Sequence, residues 1–194
     1  MKVIIESGAT KGDWRLISEQ DGTQHQIVAK GTNVSTMPMA SIRDIIHDTC
    51  CRIKEYEEKV TAVYLYTAGV LTPEITQELR SFFIEEFGEI ECDVQTDLTA
   101  AARAACGHEC GIAAILGTGS NSCQYDGEKI TRRVYSSGFI LGDEGSDQVT
   151  WFGIDISRPF DIMSYHITSV VYWLLSLTND HVYFFEPNLI QFDT

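Results

Sequence analysis

The opening of the chain is repeated. Residues 4–22 read IIESGATKGDWRLISEQDG, and residues 113–127 read AAILGTGSNSCQYDG. Each copy runs from an apolar strand through a loop of Gly with Ser or Thr into a second strand and an Asp-Gly turn. A repeat of this kind predicts two related domains that face one another.

The first copy begins with an apolar strand at Val3 to Ile5, followed by the loop Glu6 to Gly12. Trp14, Leu16 and then Ile27 alternate with polar residues around the Asp21-Gly22 turn, which predicts three antiparallel strands. Ile42, Ile45, Ile46, Cys50 and Ile53 recur at helical spacing between Ser41 and Glu58. Val60 to Tyr66 is a continuous apolar run, as a buried parallel strand requires. Thr72 and Pro73 form a helix start, Ile75, Leu79, Phe82, Phe83 and Phe87 its buried face, and Gly88 its end. A strand at Glu91 to Gln95 and an alanine-rich helix at Leu98 to Cys106 follow, and then the repeat restarts at Ile112.

The two loops contain Ser7, Gly8, Ala9, Thr10 and Lys11 in the first copy, and Gly117, Thr118, Gly119, Ser120 and Asn121 in the second. Glycine lets backbone N–H groups approach a phosphate with no Cβ in the way. Either loop alone also reads as a tight hairpin; the matched pair can grip one polyphosphate from both sides. Asp97 follows a strand and opens a helix, which places it at the carboxyl end of an open α/β sheet, where ligands bind. A carboxylate there can take the proton of an attacking hydroxyl, or it can share helix capping with Thr96. Asp143 and Glu144 stand among Gly138, Gly142 and Gly145 in GFILGDEGS, a shaped loop or a solvated acidic turn.

With 44% hydrophobic and 22% charged residues in 194, the composition is that of a globular protein. The formal net charge of −14 repels nucleic-acid phosphate and anionic lipid, so neither is an expected partner. It leaves room for a nucleotide, which needs only a local cradle of N–H groups and a metal ion. The N-terminus has no signal-peptide pattern, and the stretch Ile162 to Leu177 falls short of the ~20 apolar residues of a membrane span. The six cysteines show no C-x-x-C pair, which predicts reduced thiols and a cytoplasmic protein.

The segments ESGATKGDW, QTDLTAAARAACG, ILGTGSNS and GFILGDEGS occur in that order. Together they resemble the BadF/BadG/BcrA/BcrD ATPase family in its N-acetylglucosamine kinase-like branch, over about residues 1–146. The resemblance implies an α/β chain with the ribonuclease H-like fold of the actin/hexokinase/Hsp70 ATPases. It divides the chain into an N-terminal ATPase domain at 1–107, the start of a second at 108–150, and a divergent or truncated tail at 151–194. It also implies ATP and Mg²⁺ as cofactors and an amino sugar such as N-acetylglucosamine as substrate. Both loops would hold ATP phosphates and Asp97 would be the catalytic base. Asn33 and Asp143 would contact the sugar, and Glu6 would orient Mg²⁺ through water. A homodimer stays open.

Two departures stand out. The first-loop acid is Glu6 where the family carries Asp, which moves the carboxylate by about one C–C bond, ~1.5 Å; Mg²⁺ is sensitive to such shifts. The tail from Trp151 holds a single Arg or Lys, Arg158, and no clear periodicity, which reads as a frameshifted or degenerate remnant or as a divergent short domain. Two other functions therefore remain open: a non-catalytic sugar-binding or regulatory remnant, and the activating ATPase of 2-hydroxyacyl-CoA dehydratases.

Overall fold

The computed structural model describes residues 1–69, 71–116, 120–133 and 181–185, with backbone alone for 116, 120 and 181–185. They fall into two compact units, Met1–Ala100 and Ala101–Thr194.

The first unit is built on a five-stranded sheet in the order β3-β2-β1-β4-β5. Strands β1 (Lys2–Ser7), β2 (Lys11–Ile17) and β3 (Gln24–Lys30) are an antiparallel meander. β4 (Ala62–Thr67) and β5 (Glu91–Thr96) continue it in parallel with β1. The connection to β4 runs through helix α1 (Met39–Lys54), and that to β5 through α2 (Pro73–Phe87). The helices pack on one another, α1 also on β3 and α2 on β5.

Strand alternation decides which side is covered. Val3 and Ile5 of β1, Trp14 and Leu16 of β2, Ile27 of β3 and Val63 and Leu65 of β4 are buried. They meet Ile42, Ile46, Cys50 and Ile53 of α1 and Leu79, Phe82 and Phe83 of α2 in one core. Trp14 and Phe83 tilt against each other with ring centroids 6.0 Å apart, a geometry that adds to their area burial. The opposite side of β1 and β2 carries Glu6, which is exposed, and Asp13 and Arg15, which are half-buried.

Helix α2 starts where its sequence says: Thr72 Oγ1 accepts from Ile75 N at 3.3 Å, with Pro73 in the first turn. It ends at Gly88, whose φ of 78° suits a residue without a Cβ. Helix α1 differs from expectation at both ends. It begins at Met39, two residues ahead of Ser41, because Pro38 already has an entry conformation of φ −60°, ψ 140° and no side-chain cap is used. It stops at Lys54, and Glu57 turns to a positive φ of 56° before the chain enters β4. Helix α3 (Asp97–Cys106) follows β5 directly, and the division between the units falls within it.

The second unit contains a four-stranded sheet in the order β8-β7-β6-β9. β6 (Gly111–Leu116), β7 (Ser120–Tyr125) and β8 (Ile130–Arg133) form an antiparallel meander, and β9 (His181–Phe185) lies parallel to β6. This reproduces β3-β2-β1-β4 strand for strand, direction for direction. The repeat read in the sequence is thus a repeat of topology. Two strands were not evident beforehand. β8 is mostly exposed and is held by pairing to β7. β9 lies within the expected tail, where the short run HVYFF supplies a strand although the surrounding sequence shows no period.

Candidate active site

The parallel strands bring their carboxyl ends into one row. Ser7 of β1 is in register with Thr67 of β4, and Thr67 with Thr96 of β5. Asp97 is the next residue after that row. Thr96 caps α3, its Oγ1 accepting from Thr99 N at 3.3 Å, while Asp97 Oδ1 accepts from Leu98 N at 2.8 Å. Capping therefore falls chiefly to Thr96, and the Asp97 carboxylate stands in the first turn, where the helix dipole favours negative charge. Burial nevertheless raises its pKa, opposed by the bonds from the backbone of Leu98 and of Asp97 itself.

Glu6 precedes Ser7 on β1. The residue as a whole is exposed, but the protein crowded around its carboxyl raises its pKa, and the charges of Asp97 and Asp13 raise it further; Lys11 opposes. Asp13 is the direct cross-strand partner of Glu6. Its own carboxylate is held by Arg15 at 3.0 and 3.2 Å and by Gln26 Nε2 at 2.7 Å. Glu6 and Asp97 thus form an acidic pair at the strand ends.

The first loop is a tight hairpin closed by Gly8 N donating to Lys11 O at 3.0 Å. Ala9, Thr10 and Lys11 are exposed and Gly8 half-buried. The Ser7 side chain is used inside: its Oγ accepts from Thr32 N at 2.9 Å and from Thr32 Oγ1 at 2.8 Å. Gly31, just after β3, props the loop. Its N–H donates to Thr10 O at 3.1 Å, and a Cβ built on it would lie 2.2 Å from Gly8 O. Only glycine allows that approach.

Asn33 begins the next turn, its Oδ1 accepting from Ser35 N at 2.9 Å. Asn121, in β7, receives a bond from Ser122 N at 2.9 Å, and Ser120 opens the same strand. Gly117, Thr118, Gly119 and Asp143 lie outside the described residues. Among the sequence-expected residues, the fold brings Glu6, Ser7 and Asp97 to one end of one sheet. Gly31, Thr32 and Thr67 were not anticipated; the Gly-Thr pair before Asn33 was the only hint of the first two.

A divalent ion fits this setting only with help from a ligand. Among the described residues no group of three or more His, Cys, Asp or Glu side chains is placed to hold one. Mg²⁺ commonly relies on one or two carboxylates with water and substrate phosphates for the rest, and Glu6 beside Asp97 meets that lesser demand. Burial pushes the Cys92 thiol up to about 11 and the Cys123 thiol up to about 12. A groove of about 420 Å³ lies between α1 and α2, lined by Met39, Arg43, Glu78 and Phe82 among others, and contains none of the strand-end groups. No described helix is long and apolar enough to cross a membrane.

Comparison with solved structures places the fold. A proposed N-acetylglucosamine kinase from Porphyromonas gingivalis is 37% identical with a TM-score of 0.69, the match covering 75% of this chain and 52% of that one. The fold is that of the actin/hexokinase/Hsp70-type ATPases. A second proposed N-acetylglucosamine kinase, from Chromobacterium violaceum, is 22% identical with a TM-score of 0.58, over 75% of this chain and 52% of that one. A proposed N-acetylmannosamine kinase from Listeria monocytogenes is 12% identical with a TM-score of 0.65, over 98% of this chain and 84% of that one. The last two show the fold alone. The chain spans about half the length of the first two. No protein-family model and no curated protein sequence matches it.

Proposed function

We propose that the chain carries the catalytic N-terminal domain of an ATP-dependent kinase that phosphorylates an amino sugar of the N-acetylglucosamine class. The observation that carries this reading is Asp97: a carboxylate at the carboxyl end of β5, on the first turn of α3, with its pKa raised by burial. A raised pKa makes a carboxylate a better proton acceptor, nearer the working pH. The likeness to the Porphyromonas protein supports the substrate class.

In this reading Asp97 takes the proton of the sugar hydroxyl, expected to be the 6-hydroxyl. Asn33 and Asp143 hold the other hydroxyls. Ser7, Gly8, Ala9, Thr10 and Lys11 of the first loop and Gly117, Thr118, Gly119, Ser120 and Asn121 of the second bind phosphate oxygens. Glu6 orients the metal through water. ATP, when bound, supplies the transferable γ-phosphoryl group, and Mg²⁺ the positive charge that phosphoryl transfer needs. The protein works in the cytoplasm on small molecules, not on nucleic acid or membrane.

A coupled assay for ADP release tests the proposal. N-acetylglucosamine or N-acetylmannosamine should stimulate release, and Asp97→Asn should abolish the stimulation. ADP release that no amino sugar accelerates would refute the substrate class; full activity in Asp97→Asn would refute the base.

A further inference from the structure

Ser7, Thr32 and Thr67 form a relay with a fixed donor direction. Thr67 Oγ1 donates to Thr32 O at 2.6 Å, a much better acceptor than Ala68 O at 3.5 Å. Thr32 then donates twice to Ser7 Oγ, from its N–H at 2.9 Å and from its hydroxyl at 2.8 Å. The 3.4 Å approach of the two threonine hydroxyls carries no proton, because both hydrogens are already spent. All three residues are buried, Ser7 at 1% exposure.

A hydroxyl has one hydrogen to give and two lone pairs. Both lone pairs of Ser7 Oγ are taken, so what remains is a single O–H donor. No described residue accepts that hydrogen, and an unmade buried donor is costly. Ser7 is the last residue of β1, immediately before the hairpin whose far side carries Lys11. A lone donor on the same loop as the Lys11 ammonium suits an anionic oxygen. If Ser7 instead accepted from a ligand, it would have to give up a bond from Thr32.

We infer that Thr32 and Thr67 are positioning residues, which hold the Ser7 hydroxyl as a donor to an anionic oxygen of a nucleotide phosphate at the first hairpin. This rests on the reading of that hairpin as a phosphate site. Thr67 fixes the Thr32 peptide, Thr32 fixes the Ser7 hydroxyl, and Gly31 sets the distance between the Thr32 backbone and the loop.

The test is titration of the chain with a non-hydrolysable ATP analogue and Mg²⁺, alongside thermal melting. Ser7→Ala should weaken binding roughly ten-fold, as loss of one hydrogen bond to a charged group does. Thr32→Val should weaken it by a similar factor, Thr32→Ser should restore it, and Thr32→Val added to Ser7→Ala should cost nothing more. Thr32→Ala, which removes the same donor, replaces Thr32→Val if that variant fails to fold. A merely structural Thr32 would give additive losses that track the fall in melting temperature, and that outcome overturns the relay, as does wild-type affinity in Thr32→Val. Absence of any nucleotide binding by the wild-type chain overturns relay and phosphate site together. Tight nucleotide binding without sugar phosphorylation overturns only the kinase reading.

Discussion

Burial raises the pKa of Glu6, and the charge of Asp97 raises it further from the far side of β4, the strand that separates β1 from β5. Two carboxylates at the ends of parallel strands therefore titrate as neighbours. A cation placed near both would relieve them, and the lysine of the adjacent loop already opposes the shift.

The first prediction concerns pH and activity. Asp97 must be ionised to accept a proton, so the acid limb of the rate profile should lie above the ordinary carboxyl value of 3.8. The rate of ADP release measured across pH 4–8 checks this; an acid limb at or below 3.8 counts against burial of the Asp97 carboxylate as its cause.

The second concerns stability. Both carboxyls are raised in the folded chain, so above their ordinary values of 4.5 and 3.8 the folded state holds more protons than the unfolded. Stability from this pair is therefore greatest below the ordinary values and falls as pH rises through the folded ones. Glu6→Gln should melt a few degrees above wild type at pH 7, and the gap should close towards pH 4. Melting curves at the two pH values decide it, and a lower melting temperature at pH 7 would contradict the sign.

Removing the Asp97 carboxylate should separate chemistry from folding. Asp97→Asn keeps an oxygen for Leu98 N, and the Thr96 cap is untouched. Activity should fall by about 10²–10⁴, the range for a general base, with helix content by circular dichroism unchanged. Thr96→Ala should do the reverse, costing about 1 kcal/mol of stability through the lost cap.

Gly31→Ala should damage the loop specifically. Its Cβ would fall 2.2 Å from Gly8 O, a main-chain atom that cannot rotate away. The hairpin must shift, at a cost of about 1–3 kcal/mol as for other overpacked sites. Chemical denaturation measures that cost, and nucleotide affinity should fall with it. A variant as stable and as tight-binding as wild type would show that the hairpin has more room than the fold implies.

A core substitution provides the reference. Phe83→Ala empties a fully buried position against Trp14 and should cost about 3–5 kcal/mol, read from the denaturation midpoint.

Much of the first unit is legible because its signals are local. Thr72-Pro73 announces a helix start with short-range chemistry alone, and the apolar run before Thr67 can only be a buried strand or a buried helix. Asp97 stands out because it follows a strand and begins a helix. β8 escaped notice because its residues face water and its order comes from β7, not from its own pattern. Thr32 and Thr67 escaped for a different reason. A threonine's task is set by what lies within 3 Å of it, and here those neighbours are 25 and 35 residues away. The second loop's glycines and Asp143 fall outside the described residues.

The place of β9 bears on how the protein is made. β6 ends at Leu116, yet its parallel neighbour begins only at His181. On the ribosome the first sheet can close once residue 96 has emerged, whereas β6 waits with one edge bare for another 65 residues of synthesis after Leu116. Bare edges invite pairing with other chains. Slow elongation through that interval, or a nascent chain released within it, would thus expose β6 to intermolecular pairing while the first unit is already complete.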